Sequence, residues 1–301
     1  MTALPKPFLP RLPMTVTVSR RALVSAASLG LGLGATVALS GCIAPAGLGP
    51  GLSPLDRRTM PTVMIDSITP LQLTRASDLA WQTLLARGPI ADAGLLERLA
   101  RVASRLRAGA VAVDPSVAGW RDEVLVVPGS GPDAWCLPGG RCAITPAMAA
   151  LGTRPGEANP DAVLAVALAH EMAHLIRDHP RERIARARAD GLADEAAVLL
   201  SHPHDRVHED EADRLAMELL ARAGFDPGLA LGFWSRALTG ALAVPAPAVP
   251  RWQTWLPAAT PAAVRADPFA ARHPSHPGRL ADLDRYAVRL QPLVVPETVR
   301  R

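Results

Sequence analysis

A mainly helical α+β domain with one small β-sheet is the fold that the sequence predicts. Long stretches carry apolar residues at helical spacing, as in Leu95, Leu99, Val102 and Leu106. Two short segments, DEVLVV and DAWCLPGGRCAIT, have the alternation and β-rich composition of strands around a Gly-Gly pair, which indicates a sheet with a hairpin. At 301 residues and 49% hydrophobic, the chain is long enough to bury a substantial core.

Helical periodicity predicts seven helices. Two lie in about 71–107, and the others cover about 160–179, 181–200, 205–223, 227–239 and 277–290. The helix at 160 has a clear start, because Asn159 suits the N-cap and Pro160 the first helical position. We expect this helix to end at His179, where a cation would lie near the negative end of the helix dipole, with Pro180 allowing a turn.

Residues 1–41 are predicted to be a lipoprotein signal peptide. A basic pair precedes a weakly apolar run ending in LSGC at Cys42, which resembles a bacterial lipobox, and SRRAL also resembles a twin-arginine export signal. Lipidation of Cys42 would anchor the protein to the membrane, facing the periplasm of the bacterial cell envelope. Ile43, in place of aspartate, favours the outer membrane over the inner one. The alternative is an uncleaved membrane-spanning helix from Ala22 to Leu39.

The rest of the chain is predicted to be a tether followed by one domain. Residues 42–61 are rich in Gly and Pro and suit a flexible tether. The domain is expected over 62–301. It contains a proline-rich insert at about 240–272, which is predicted to be irregular because its prolines interrupt any helical pattern.

The distribution of charge argues against a nucleic-acid partner. Four of the 32 basic residues and none of the 28 acidic residues fall within 1–41, so the rest of the chain is formally neutral. Aromatic residues make up only 4% of the chain. A basic surface with stacking side chains, as DNA or RNA binding requires, is therefore not expected.

Cys136 and Cys142 flank the turn-forming stretch LPGGR. A hairpin closed there would bring their Cβ atoms within bridging range, and the predicted compartment is oxidising. The two residues are therefore candidates for a disulfide, with two separate buried thiols as the alternative.

The stretch AHEMAH places two histidines one helical turn apart on an apolar helix. His170 and His174 would share a face, as two ligands of a tetrahedral zinc ion must. Glu171 would lie beside the metal as the general base that takes a proton from water. Burying these polar groups without a metal would be costly.

A third metal ligand is expected from the helix at 205–223. Glu209 and Asp213 are four residues apart on a face that continues through apolar Met217, so this face is expected to point inward. Glu211 shares its side with Glu218 and other charged residues, which indicates solvent. We therefore predict Glu209 as the ligand and Asp213 as the group that holds a ligand imidazole. His202, His204 and His208, in the loop and cap before this helix, are expected at the surface.

Four blocks of the sequence together resemble the M48 zinc metallopeptidases. They are DAWCLPGGRCAIT, AVALAHEMAHLIRDHPRER, HEDEADRLAMELLARAGFDP and RHPSHPGRL, and they occur in family order over about 133–280. The lipobox and AWCLPGG are most similar to the soluble, envelope-located bacterial branch. The resemblance implies a gluzincin-like zincin fold, one zinc ion per chain, polypeptide substrates, and a small sheet whose edge strand lines the cleft.

The resemblance also implies roles for individual residues. Glu209 and Asp213 match an ExxxD motif, in agreement with the face argument. Pro138, Gly139 and Gly140 would form the edge strand along which a substrate lies extended. His273 and Arg279 match a late histidine and arginine that approach the substrate carbonyl and stabilise its oxyanion. The insert at 240–272 is longer than usual for the family and is a candidate lid or plug.

The sequence therefore predicts a zinc-dependent endopeptidase of the bacterial envelope that acts on misfolded or unassembled envelope proteins. A rival hypothesis is an envelope assembly or binding lipoprotein whose metal site is structural or plugged. A fourth protein ligand, such as His273, would favour that rival, because it leaves no position for water. A third hypothesis is a latent protease that a signal opens.

Overall fold

The computed structural model describes residues 60–152, 159–238, 272–273 and 278–290. The predicted α+β class is confirmed within these ranges: helices surround one three-stranded sheet. The elements in chain order are α1 Thr62–Asp66, α2 Pro70–Ala86, α3 Ala93–Ala110, a 3-10 helix Pro115–Gly119, β1 Val124–Val126, β2 Ala134–Leu137, β3 Arg141–Ile144, α4 Pro146–Leu151, α5 Pro160–Ile176, α6 His179–Ala189, α7 Glu195–Ser201, α8 Arg206–Arg222, α9 Gly228–Leu238 and α10 Arg279–Leu290.

Several sequence predictions lie outside the described residues. The structure describes none of the predicted signal peptide at 1–41 and does not describe the lipidation site Cys42. Most of the tether at 42–61 and most of the insert at 240–272 also lie outside the described residues. Within the described ranges, we find no helix with the length and apolar character needed to cross a bilayer.

Helix α5 is the centre of the fold. Every side chain from 162 to 174 is buried, because α5 packs against α3, α4, α6, α8, α9 and β2. The side chain of Asn159 accepts a hydrogen bond from the backbone N–H of Asp161 and Pro160 follows it, as predicted from the sequence. Polar side chains in the middle of this helix are therefore held away from water and must find partners inside the protein.

The sheet lies between two apolar clusters. Alternate side chains, such as Val126 and Ile144, join the cluster around α5 and α8, whereas Leu125 and Leu137 join the cluster around α2, α6 and α7. The strand order is β1-β3-β2, with β1 parallel and β2 antiparallel to β3, so β2 is an edge strand.

The hairpin between β2 and β3 is closed by a disulfide. Cys136 lies directly opposite Cys142 in the strand register, and their sulfur atoms are 2.07 Å apart. The structure therefore adopts the bonded alternative for this pair.

The prediction that Pro138, Gly139 and Gly140 form the edge strand is wrong, because these residues form the turn after β2. Gly139 and Gly140 have φ of +91° and +88°, which L side chains rarely adopt. The turn carbonyls are also occupied: Ser77 Oγ donates to the Pro138 oxygen at 2.7 Å and the Arg121 N–H donates to the Gly139 oxygen at 2.8 Å. The edge strand of this hairpin is β2 itself.

The region after α5 also differs from the prediction. Helix α5 ends at Ile176, and Asp178 adopts a left-handed conformation with φ of +58°, so that His179 begins α6 instead of ending α5. The predicted helix at 181–200 is divided into α6 and α7. Pro180 explains the break between α5 and α6, since proline fits the first turn of a helix but cannot continue one.

Alanine substitutions in the hairpin turn should separate backbone strain from steric conflict. Gly139→Ala is expected to cost about 1–2 kcal/mol, the penalty for a left-handed alanine. Gly140→Ala is expected to cost about 1–3 kcal/mol more, because its Cβ would lie 2.4 Å from Cβ of Trp120 whereas a Cβ on Gly139 meets nothing within 4 Å. Urea unfolding of both variants measures the difference. Equal losses of stability would contradict this account of the turn.

Candidate metal centre

The predicted metal ligands meet where α5 packs against α8. His170 and His174 are one turn apart on α5, and Glu209 lies in the first turn of α8. The relative exposures are 0% for His170, 2% for His174 and 0% for Glu209. Asp205 caps α8 through a hydrogen bond that its side chain accepts from the His208 N–H, directly before Glu209.

A fourth residue, His273, completes the cluster. Its Nδ1 lies 3.1 Å from Nε2 of His170 and 3.1 Å from Oε1 of Glu209. The two nitrogens Nε2 of His170 and His174 are 3.0 Å apart, and they lie 3.3 and 3.4 Å from the two oxygens of Glu209. Three imidazoles and one carboxylate thus present one atom each to a common point.

The donor set and spacing fit zinc. Imidazole nitrogen and carboxylate oxygen are normal zinc ligands with bond lengths of about 2.0–2.2 Å, which place the corners of a tetrahedron about 3.3–3.6 Å apart. The observed separations of 3.0–3.4 Å are close to that. Two imidazole nitrogens that face each other at 3.0 Å also need a proton or a metal ion between them, since two lone pairs repel.

The outer nitrogens of the same imidazoles face groups that fix their orientation. His170 Nδ1 lies 3.0 Å from Oδ1 of Asp213, the contact predicted for the ExxxD motif. His273 Nε2 lies 2.9 Å from Oε1 of Glu171. His174 Nδ1 lies 2.8 Å from Nδ1 of His179. With a proton on each outer nitrogen, the inner nitrogens are left as metal ligands.

Arg279 holds the carboxylates of α8 in place. Its guanidinium is buried, donates to both oxygens of Asp213, and donates to Oε2 of Glu209 at 3.2 Å. The group also lies over the ring of Trp234, 3.6 Å from the centroid. Arg279, for which the family resemblance implies a place beside a substrate oxyanion, lies behind the ligand set, against Glu209 and Asp213.

The histidines of α5 have opposite shifts in pKa. Burial opposes the charged form of His170, but Glu209 and Asp213 outweigh burial and raise its pKa to about 9. Burial, together with the charge of His170, lowers the pKa of His174 to about 3. A proton on the pair therefore belongs to His170 near neutral pH, and a metal ion that binds here competes with that proton.

Glu171 is held in its charged form. Burial alone would raise its pKa, but His273 and Arg272 lower it to about 2. A carboxylate that stays ionised across the neutral range can accept a proton from water. In the arrangement described, its Oε1 faces His273.

The segment Arg272–His273 also covers the start of the edge strand. The Arg272 side chain is buried and donates to the Asp133 carboxylate and, at 2.6 Å, to the Ala134 carbonyl of β2. The Arg272 carbonyl accepts the N–H of His204 at 3.0 Å. These two consecutive residues therefore occupy part of the β2 edge and the fourth corner of the ligand cluster together.

Three residues expected at the surface are buried. His204, His208 and Glu211 have exposures of 4%, 1% and 3%, so the prediction that they face solvent is wrong. The physical reason is that side chains of α6 meet those at the start of α8: the carboxylate of Glu211 faces Nε2 of His179 at 3.4 Å, and Nε2 of His208 faces Oε2 of Glu182 at 3.3 Å. The spacing HxxE, present in both HPRE and HEDE, is the signal in the sequence that could have indicated paired burial.

The sequence profile of peptidase family M48 matches residues 97–287, well over half of the chain. The chain belongs to peptidase family M48. The matched span contains all four residues of the ligand cluster, with Glu171, Asp213 and Arg279. No curated protein matches the chain significantly. Because M48 peptidases are zinc-dependent metallopeptidases, family membership and the buried His/Glu cluster agree on the kind of site.

Removing Arg279 from this M48 fold should destabilise it strongly. Arg279→Ala leaves Asp213 and Glu209 buried without their cation and is expected to cost about 3–5 kcal/mol in the metal-free protein. Arg285→Ala, in the same helix, is the control. Its side chain is 70% exposed and pairs with Asp282, so we expect a loss below about 1 kcal/mol. Chemical denaturation of both variants measures the contrast, and similar losses would argue against a structural role for Arg279.

Proposed function

We propose that the chain is a zinc-dependent endopeptidase of the bacterial cell envelope that cleaves misfolded or unassembled envelope polypeptides. The observation that carries the proposal is the convergence of His170, His174 and Glu209 on one point, with the ionised Glu171 beside them. A buried site with these ligands and an adjacent carboxylate has the parts that metal-assisted hydrolysis requires.

The roles of the residues follow from their contacts. His170, His174 and Glu209 would hold one zinc ion, which when bound supplies a Lewis acid that makes water more acidic and polarises a peptide carbonyl. Glu171 would take the proton from water and pass it to the leaving amine. Asp213 and Arg279 would keep His170 and Glu209 in position.

The edge strand β2 is the feature that favours a polypeptide as the substrate. An extended peptide can add to an edge strand through main-chain hydrogen bonds, which give affinity with little dependence on sequence. The edge begins at Ala134, whose carbonyl accepts a hydrogen bond from Arg272, the residue next to His273 of the cluster. A substrate at this end of β2 would displace that contact. Low selectivity of this kind suits the clearance of unfolded proteins.

The proposed location depends on the sequence alone. The lipobox-like LSGC before residue 43 supports a lipid anchor at Cys42, with the domain facing the periplasm and the outer membrane as the preferred site.

The position of His273 favours a second candidate state of the same site. With Nδ1 of His273 as a fourth ligand and Nε2 against Glu171, both the open coordination position and the general base are engaged by protein. Such a centre is closed. It fits a latent peptidase that opens when the segment Arg272–His273 moves, or an assembly lipoprotein with a plugged site.

Glu171→Gln tests the role of the general base. The variant is expected to keep one zinc ion per chain and to lose casein cleavage by about 100-fold or more, because proton transfer is removed but the ligands are not. Zinc content by elemental analysis and a casein assay give the two readouts. Glu97→Gln, on the exposed side of α3, is the matched control and should retain full activity. Wild-type cleavage by Glu171→Gln would contradict the mechanism.

His273→Ala distinguishes an open zinc centre from one that His273 closes. If His273 closes a latent peptidase, the variant should cleave casein faster than the wild type, since the fourth corner and Glu171 are released together. His202→Ala, outside the cluster, should leave the rate unchanged. A lower rate in His273→Ala would support the oxyanion role that the family resemblance implies, and the absence of cleavage in both proteins would support the plugged assembly lipoprotein.

A further inference from the structure

The three imidazoles of the ligand cluster differ in what lies behind them. Behind His170 and His273 there is a carboxylate in direct contact, from Asp213 and Glu171 respectively. Behind His174 there is another imidazole: Nδ1 of His174 and Nδ1 of His179 form a hydrogen bond of 2.8 Å. The far nitrogen of His179, Nε2, faces Oε2 of Glu211 at 3.4 Å. The nearest carboxylate in line with His174, that of Glu211, is thus separated from it by the ring of His179.

The atom of His174 that faces the metal determines where the protons lie on His174 and His179. If Nε2 of His174 is a metal ligand, its ring proton must be on Nδ1, which then donates to Nδ1 of His179. Nδ1 of His179 therefore carries a lone pair, and its proton is on Nε2, where it donates to Glu211. One direction of donation satisfies all of these atoms.

The surroundings of His179 make this arrangement rigid. Its ring is 1% exposed and stacks on the ring of His208, with centroids 4.1 Å apart and planes inclined by 20°. Nε2 of His208 faces Oε2 of Glu182 at 3.3 Å. Helices α6 and α8 each contribute one HxxE pair, and each histidine faces the glutamate of the other helix. A ring packed in this way has little freedom to turn its Nδ1 away from His174.

We propose that His179 and Glu211 are positioning residues of the metal centre, acting through His174 as a His-His-Glu hydrogen-bond chain. The inference depends on the proposed metal-binding role of His174. In this chain His179 fixes the proton of His174 on Nδ1 and holds the ring so that Nε2 points at the metal. Glu211 orients His179 and stabilises the partial positive charge that metal binding places on both rings.

A second metal ion is the competing interpretation of the same histidines, because His174, His179 and His204 have nitrogens close together. The contacts of His204 argue against it. Its ring is stacked on His174, with centroids 3.6 Å apart and planes inclined by 23°, so that the in-plane lone pairs of the two rings do not converge. Its Nε2 is in contact with the guanidinium of Arg183, a buried group that would repel a second cation. The hydrogen-bond chain therefore predicts one metal ion per chain.

Substitutions of His179 in the full chain test the proposal through zinc affinity. His179→Leu removes the acceptor and should weaken zinc binding by about 10- to 100-fold, the usual effect of losing such a partner. His179→Asn places a carbonyl oxygen near the position of Nδ1 and should recover most of that loss. His202→Gln, a partly exposed histidine outside the cluster, is the control and should bind zinc within about 2-fold of the wild type. Competition with a chromophoric chelator measures all four affinities.

A spectroscopic readout accompanies the affinities. In the zinc-loaded protein, long-range 1H–15N correlation should show His174 protonated at Nδ1 and His179 protonated at Nε2. Protonation of His179 at Nδ1, a change below about 2-fold in His179→Leu, or binding of two zinc ions per chain would overturn the proposal.

His170→Ala distinguishes failure of this inference from failure of the metal centre. If His170→Ala abolishes tight zinc binding while His179→Leu does not alter it, the proposed His-His-Glu hydrogen-bond chain is wrong but the proposed metal centre is supported. If neither the wild type nor any variant binds zinc tightly, the proposed function itself fails. Thermal unfolding of the metal-free variants shows whether a loss of zinc affinity reflects a loss of folding.

Discussion

The structure depends on the burial of two imidazoles and a glutamate in the middle of its most apolar helix. His170, Glu171 and His174 are held in the second half of α5, where every side chain from 162 to 174 is buried. Placing polar groups there costs several kcal/mol unless each is paired. Much of the surrounding structure can be understood as the set of partners that offsets this cost.

The charges of those partners balance around a divalent ion. Glu171, Glu209 and Asp213 are carboxylates whose pKa values are lowered in spite of burial, and Arg279 compensates one of the three charges. Arg279 leaves two of these three negative charges, which a divalent zinc ion would balance, while the buried Arg272 pairs with Asp133. In the absence of metal, the raised pKa of His170 offsets part of the same excess. The ligand cluster and its electrostatics therefore favour the same occupant.

Much of this arrangement could be predicted from the sequence, because the relevant residues lie on periodic helices. The spacing of His170 and His174 and the inward face of α8 place the ligands without any tertiary information. Two features could not be predicted in this way. His273 follows a long proline-rich segment with no periodicity to locate it, and the burial of Glu211 depends on how α6 packs beside α8.

The errors at the hairpin and at His179 share a cause. In both places the sequence carries a turn signal, a Gly-Gly pair or a proline, whose exact register depends on contacts made by distant residues. Ser77 and Arg121 hold the hairpin turn, and His174 holds the ring of His179. Local pattern identified the turns but not which residues they contain.

The central claim is that His170, His174 and Glu209 bind a single zinc ion. Zinc K-edge X-ray absorption of the full-length protein with one equivalent of metal tests it most directly. We expect nitrogen and oxygen ligands at about 2.0–2.2 Å with multiple scattering from at least two imidazoles, and from three where His273 is also bound. A zinc ion with fewer than two imidazoles, or one coordinated by sulfur, would contradict it.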